Sequence, residues 1–285
     1  MKTSSLLRYP GGKAALAGLL SDIRRLNSIG DRAIVEPFGG GAGASLTMLF
    51  HEEVPEVFIN DADRSIYEFW SAAINRSKLF IELIMKTRVN IAEWRRQREI
   101  YRSNGRISRV RKGFATFYLN RCNRSGIIMN GGPIGGIDQK GKWKIDARFN
   151  KRTLRQRCEK LAEYKDRIHI SDFDGIEFIQ QHKPKDVFFF IDPPYFKKGK
   201  TLYLNSLDES YHTKLASMLN ELSDAAWVLT YDDCPKIRKM YRGWATIRPF
   251  SLRYAASERR RGKEILIVPN WMRLPVSQSS AAIIW

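Results

Sequence analysis

The feature that most constrains this chain is Val187-Phe188-Phe189-Phe190-Ile191, an unbroken apolar run that stops at Asp192-Pro193-Pro194-Tyr195. A strand with one wet face alternates apolar and polar residues, so a continuous apolar run fits a central strand covered on both faces, as in a parallel sheet between helices. The two prolines that follow offer no N–H to a sheet ladder, and the strand must end there. Asp192 is thereby set at the carboxyl end of a buried strand, the edge at which open α/β sheets bind ligands.

The rest of the chain keeps the same rhythm. Leu16, Leu19, Leu20, Ile23 and Leu26 fall at helical spacing, with Gly30 as a terminator. Ala33-Ile34-Val35 runs into Glu36-Pro37-Phe38 and the bend Gly39-Gly40-Gly41-Ala42-Gly43, after which residues 44–50 resume an apolar helical pattern. A second strand over 56–60 ends at Asp61 and is followed by a helical segment over 65–74. The pattern returns with Ile168-His169-Ile170 and Asp172-Phe173-Asp174, where Asp174 and Glu177 have capping-box spacing. A helix over 208–222 and strands over 227–230 and 264–268 complete it. Alternating strands and helices predict an α/β fold with a doubly wound, Rossmann-like sheet.

Between these blocks lies a segment of different character. Residues 64–165 hold 25 Lys and Arg against 8 Asp and Glu, an excess of 17 in a chain whose net charge is +19. A bias confined to one segment predicts a module that meets phosphates, so nucleic acid leads the candidate partners. We expect an inserted, mainly helical basic domain over 75–150, with the catalytic domain formed by 1–74 and 151–285. Within the insertion, Ile127-Ile128-Met129 and Lys142-Trp143-Lys144-Ile145 could pair as a hairpin across a glycine-rich loop.

Other classes are disfavoured. No stretch approaches the roughly 20 apolar residues a membrane span needs, and the first residues lack the apolar core of a signal peptide, so a cytoplasmic address and no membrane partner are expected. Cys122, Cys158 and Cys234 are odd in number and scattered, and His51, His169, His182 and His212 show no ligand spacing. Neither a disulfide framework nor a metal site is expected.

The glycine bend, Asp61, Asp172 and Asp192 all fall at strand ends and so at one edge of the sheet. The bend lets backbone approach a ligand, and the helix N-terminus after it favours an anionic group such as a carboxylate. A dinucleotide dehydrogenase would offer a similar loop with an acid after its second strand. Asp192 to Tyr195 separates the two readings, because a carboxylate, a proline-stiffened backbone and an aromatic ring in four residues suit a flat amine substrate.

At these residues the chain resembles the DNA adenine methylase (Dam) family, the alpha-ordered class of N6-adenine DNA methyltransferases. Tyr9-Pro10-Gly11-Gly12-Lys13 is similar to its N-terminal cofactor motif, Glu36 to Gly43 to its glycine motif and Asn60-Asp61 to its ribose-binding acid. Asp172-Phe173 and Asp192 to Tyr195 follow the insertion in the family's order. Phe117-Tyr118-Leu119-Asn120-Arg121-Cys122-Asn123-Arg124-Ser125-Gly126 is similar to a signature of its target-recognition domain.

The resemblance implies S-adenosyl-L-methionine as cofactor, with Tyr9, Lys13, Glu36, Phe38, Gly39, Gly41, Asp61, Asp172, Phe173 and Asp192 around it. It implies Asp192, Pro193, Pro194 and Tyr195 as the catalytic set, acting on an adenine flipped out of duplex DNA, with Tyr195 stacking on the base and Phe196 a weaker candidate. Arg121, Asn123 and Arg124 are candidates for DNA contact, and Lys140, Lys142 and Lys144 for general phosphate contact. A short site such as GATC is implied, although Gly131-Gly132-Pro133-Ile134-Gly135-Gly136 does not align with the DNA-reading hairpin of the best-known members and leaves the sequence read open. A cognate restriction enzyme or other operon partner is compatible with the resemblance, and a monomer is the expected state. Methylation of adenine in RNA or single-stranded DNA, methylation of cytosine N4, and a catalytically silent nucleic-acid-binding module stand as alternatives.

Overall fold

The computed structural model describes residues 4–8, 13–196, 207–252, 264–276 and 283–284. After a 3-10 turn at Lys13–Leu16, the chain forms α1 (Ala17–Leu26), β1 (Ala33–Glu36), α2 (Gly43–Phe50) and β2 (Val57–Asn60). Five helices follow: α3 (Arg64–Asn75), α4 (Ser77–Lys86), α5 (Ile91–Arg102), α6 (Arg109–Cys122) and α7 (Lys151–Glu163). Next come β3 (Ile168–Ser171), α8 (Gly175–Gln180), β4 (Val187–Ile191), α9 (Glu209–Glu221), β5 (Ala226–Asp232), α10 (Pro235–Tyr241), β6 (Ala245–Leu252), β7 (Glu264–Pro269) and β8 (Ile283–Ile284). Contacts divide the chain into two compact units, one of Met1–Thr3, Lys13–Asn60 and Phe173–Trp285, the other of Ser4–Gly12 and Asp61–Asp172.

In the first unit the strands run in the order β2-β1-β4-β5-β7-β6-β8. The pairs β1/β2, β1/β4 and β4/β5 are parallel, and β5/β7, β6/β7 and β6/β8 are antiparallel. The apolar run of β4 is buried at every position, as its composition requires, and its face of Val187, Phe189 and Ile191 packs with Trp227, Leu229, Tyr231, Ile265 and Ile267 against Leu215 and Leu219 of α9. Because β7 runs against β5, its first residue meets the last residue of β5, and Glu264 is paired with Asp232. The carboxyl edge of the parallel strands therefore also carries the amino end of β7.

The second unit is built on α6, whose residues Gly113 to Cys122 are all buried. Phe114, Phe117 and Tyr118 pack with Phe69, Phe80 and Phe149 in one aromatic cluster. The approach of α6 to α3 depends on Gly113, where a Cβ would stand 2.3 Å from the carbonyl oxygen of Glu68. The division falls at 60/61 and 172/173, wider than the expected 75–150, because α3 packs along α6 and α7 packs along α4.

The expected hairpin is not formed. Between residues 123 and 149 the only strand pairing is an isolated antiparallel bridge of Asn123 with Pro133. Left-handed backbone at Gly135 (φ 86°), Gly136 (φ 79°) and Gln139 (φ 52°) turns the chain out of extension. Gln139 then holds the loop, its Nε2 donating to the carbonyls of Ile134 (2.8 Å) and Gly136 (2.6 Å) and its Oε1 accepting from the N–H of Ile145 (2.8 Å). No helix among the described residues is long and apolar enough to cross a membrane.

Candidate active site

The bend after β1 is fixed from β2. Gly39 N–H donates to the carbonyl of Asn60 at 2.7 Å, and Ala42 N–H closes the turn on Gly39 at 2.6 Å. A Cβ on Gly39 would lie 2.4 Å from Cγ2 of Ile59, so close approach of the bend to β2 requires glycine there. Gly40 (φ 46°) and Ala42 (φ 44°) then turn the chain through left-handed backbone into α2, whose N-terminus has no side-chain cap.

Asn60, fully buried at the end of β2, ties this bend to the segment after β3. Its Nδ2 donates to the carbonyls of Pro37 and Phe173, both at 2.9 Å, and its Oδ1 accepts from the N–H of Phe173 at 2.9 Å. The clamp holds the Phe173 ring at the surface, 46% exposed, stacked near Phe178. Phe38 is seated against Gly175, where a Cβ would come within 2.4 Å of its ring.

The end of β4 carries a cluster of charged and polar side chains. Asp192 Oδ1 accepts from Thr230 Oγ1 at 2.5 Å, and Oδ2 lies 3.3 Å from Nζ of Lys13. The same ammonium is 3.5 Å from Glu264 Oε2 and 4.8 Å from the centre of the Tyr195 ring, and Tyr195 OH donates to Glu264 Oε2 at 3.0 Å. Lys13 and Glu264 are 5% and 4% exposed by side chain, whereas Asp192 keeps 24%. A buried ammonium between two carboxylates is a paired charge, and the partly open Asp192 is the member that solvent or substrate can reach.

Glu36, at the end of β1, lies behind the bend. It accepts from Ser45 N–H at 3.2 Å and from the Ser45 hydroxyl, yet burial pushes its carboxyl up to about 8, and the charge of Asp192 adds to the rise. At neutral pH this residue is therefore largely protonated.

Several candidates belong to the second unit. Asp61 donates its N–H to Ser171 O at 3.2 Å and accepts from Asp63 N–H at 2.9 Å. Asp172 is ion-paired with Arg64. Asn123 is fully buried, with Oδ1 accepting from Trp94 Nε1 at 2.7 Å and Nδ2 donating to the carbonyls of Ile127 and Ile128 at 2.6 and 3.1 Å. Its side chain is spent inside the unit, Oδ1 on α5 and Nδ2 on the loop after α6. Arg121 is also buried, at 6% exposure, whereas Arg124, Lys140, Lys142 and Lys144 are exposed. Tyr9, with Pro10, Gly11 and Gly12, lies outside the described residues.

Thr230 and Glu264 are the site residues that sequence reading missed. The signal for Thr230 was available, since it ends the apolar stretch of β5 beside Asp192. Glu264 reaches the site only because β7 runs antiparallel, which no local pattern announces.

An α/β sheet of this order, with a glycine bend after β1 and a held carboxylate after the adjacent β4, is that of a Rossmann-like methyltransferase. The family model for the D12 class N6 adenine-specific DNA methyltransferase matches residues 9–255 of the chain. The chain belongs to that family and is an adenine-specific DNA methyltransferase. No curated protein matches it.

Proposed function

We propose that the chain transfers the methyl group of S-adenosyl-L-methionine to N6 of an adenine flipped out of duplex DNA at a short specific site. The observation that carries this reading is Asp192, which has one carboxylate oxygen held by Thr230, the other facing Lys13, and a part of its surface open.

The residues of the first unit fit such a cofactor. The exposed ring of Phe173 offers a stacking face, the bend at Gly39 to Gly43 offers backbone N–H groups at an uncapped helix start, and Lys13 with Asp192 offers both signs of charge. When bound, this cofactor supplies an electrophilic methyl group on a sulfonium. By family likeness, Tyr9 would pack on it, Glu36, Phe38, Gly39 and Gly41 would line it, Asp61 would accept from the ribose hydroxyls, and Asp172 and Phe173 would flank its adenine.

The chain's own chemistry concerns the amine. The adenine lone pair is delocalised into the ring, so the enzyme must favour the pyramidal nitrogen that forms during attack. The Asp192 carboxylate and the Pro193 carbonyl accept hydrogen bonds from the two amine N–H groups and stabilise positive charge as it develops on nitrogen, and the methylated nitrogen afterwards loses one proton to solvent. Lys13 and Thr230 fix the direction of the carboxylate, which makes Asp192 an orienting group more than a base. Pro194 stiffens the backbone between it and Tyr195, whose ring stacks on the extruded base. The exposed Arg124, Lys140, Lys142 and Lys144 contact the phosphate backbone of the duplex.

The test is to expose mixed-sequence duplex DNA to the protein and methyl donor, then sequence the modified bases. N6-methyladenine within one short motif is expected, and parallel single-stranded DNA and RNA should be modified far less. Methylcytosine, or equal modification of RNA, would contradict the reading.

A further inference from the structure

Asp208 caps α9 by accepting from the N–H of Tyr211 at 2.8 Å, which fixes the first turn of the helix, where Tyr211 and His212 are neighbours. Consecutive helical residues point about 100° apart, so the two reach different parts of the first unit. Tyr211 reaches the start of α8. Its hydroxyl donates to Asp174 Oδ2 at 2.9 Å and accepts from the N–H of Ile176 at 3.3 Å, and its ring meets that of Phe38 edge to face, with centres 6.4 Å apart. Asp174 caps α8 and Phe38 is seated on Gly175, so one phenol ties the start of α8 to the ring beside it.

His212 turns inward. It is 1% exposed, its Nδ1 lies 2.7 Å from the hydroxyl of Tyr231, and its Nε2 is buried with no hydrogen-bond partner among the described residues. Burial pushes the imidazole below its ordinary value, against the charges of Asp232, Asp208 and Glu209, so it is neutral at neutral pH. A phenylalanine would fill such a place without stranding a nitrogen, and the bond to Tyr231 is what the imidazole adds. The two bonded rings support two consecutive residues after Pro194: Tyr231 packs on Tyr195 with centres 6.2 Å apart, and His212 on Phe196 at 5.4 Å. Apolar packing alone is non-directional, whereas a hydrogen bond between the supporting rings fixes how each is turned against Tyr195 and Phe196.

We propose that the first turn of α9 carries two positioning residues with separate duties. Tyr211 holds the wall of the cofactor pocket at Phe38, and His212, through its bond to Tyr231, holds the aromatic pair Tyr195 and Phe196 that receives the extruded base. The assignment rests on the proposed function, in which Phe38 lines the methyl donor and Tyr195 stacks on the adenine. Two adjacent residues that serve different ligands make a crossed pattern of defects, which a merely structural role for either would not give.

Tyr211→Phe keeps the ring and loses both hydroxyl bonds. Calorimetric titration with S-adenosylmethionine should show affinity about tenfold weaker, while turnover at saturating cofactor and DNA stays within about twofold of wild type. His212→Phe keeps a ring against Phe196 and loses the bond to Tyr231. Its turnover at saturation should fall about tenfold, with affinity for S-adenosylmethionine and for the duplex within about twofold of wild type. Tyr231→Phe breaks the same bond from the other side and should show the same loss, and the double variant should lose no more than either single. Tyr231→Phe carries this arm of the test if His212→Phe does not fold.

General loosening of the unit would lower cofactor affinity and turnover together. Parallel losses in Tyr211→Phe and His212→Phe would therefore overturn the assignment, as would additive losses for His212→Phe and Tyr231→Phe, or wild-type behaviour of all three. A wild type that does not bind S-adenosylmethionine in the same titration would overturn the proposed function, and the assignment with it, so the two failures are told apart by the wild-type titration.

Discussion

Nζ of Lys13 stands 3.3 Å from Oδ2 of Asp192 and, on its other side, 3.5 Å from Glu264. A lysine from the start of the first unit is thus the shared counter-ion of a carboxylate at the end of β4 and another at the start of β7. The family motif around Lys13 implied a place near the cofactor, and the geometry adds that it is ion-paired with the proposed catalytic carboxylate.

Glu264→Gln removes one of the two anions on Lys13 and the charged acceptor of the Tyr195 hydroxyl. We expect kcat to fall about tenfold with little change in KM for DNA, since the interaction acts on orientation at the reacting centre. Tyr195→Phe keeps the ring and should cost less. The double variant should lose less than the two singles together, with a coupling of about 1 kcal/mol in a double-mutant cycle, and strict additivity would show that the two residues act apart.

Asn60→Ala removes three hydrogen bonds that hold Pro37 and Phe173, leaving buried backbone groups unsatisfied. Denaturant unfolding should show a loss of roughly 2–4 kcal/mol. Affinity for S-adenosylmethionine, the proposed methyl donor, measured by calorimetry, should fall as well, because the exposed Phe173 ring loses its anchor.

The raised carboxyl of Glu36 makes stability depend on pH. Its value in the folded protein, about 8, lies above the 4.5 of the exposed group, so between these two the folded state binds more protons than the unfolded state. Stability from this group is greatest below the unfolded value, falls as pH rises through the window and levels off above about 8. Glu36→Gln should flatten that dependence, and the melting temperature of the variant should exceed that of wild type at pH 8 by more than at pH 5.

Legibility in the sequence followed the range of the signal. The run of β4 and the residues after it were readable because a strand buried on both faces and a pair of prolines are local facts. The capping by Asp174, which accepts from the N–H groups of Ile176 and Glu177, and the start of α9 at Asp208 were readable for the same reason. Glu264 was not, since its place depends on the direction of a strand far along the chain. The loop after α6 misled: two apolar runs around glycines suggested a hairpin, but left-handed positions and the Gln139 side chain hold a turn-rich loop instead. Asn123 has donors and acceptors suited to DNA, and the chain spends them on Trp94, Ile127 and Ile128.

If the carboxylate of Asp192 orients the adenine amine for transfer, Asp192→Ala separates chemistry from binding when methyl transfer and DNA affinity are measured on the same preparation. Transfer at saturating DNA should be abolished while the dissociation constant for the duplex stays within a few-fold of wild type. Turnover at the wild-type rate in that variant would contradict it.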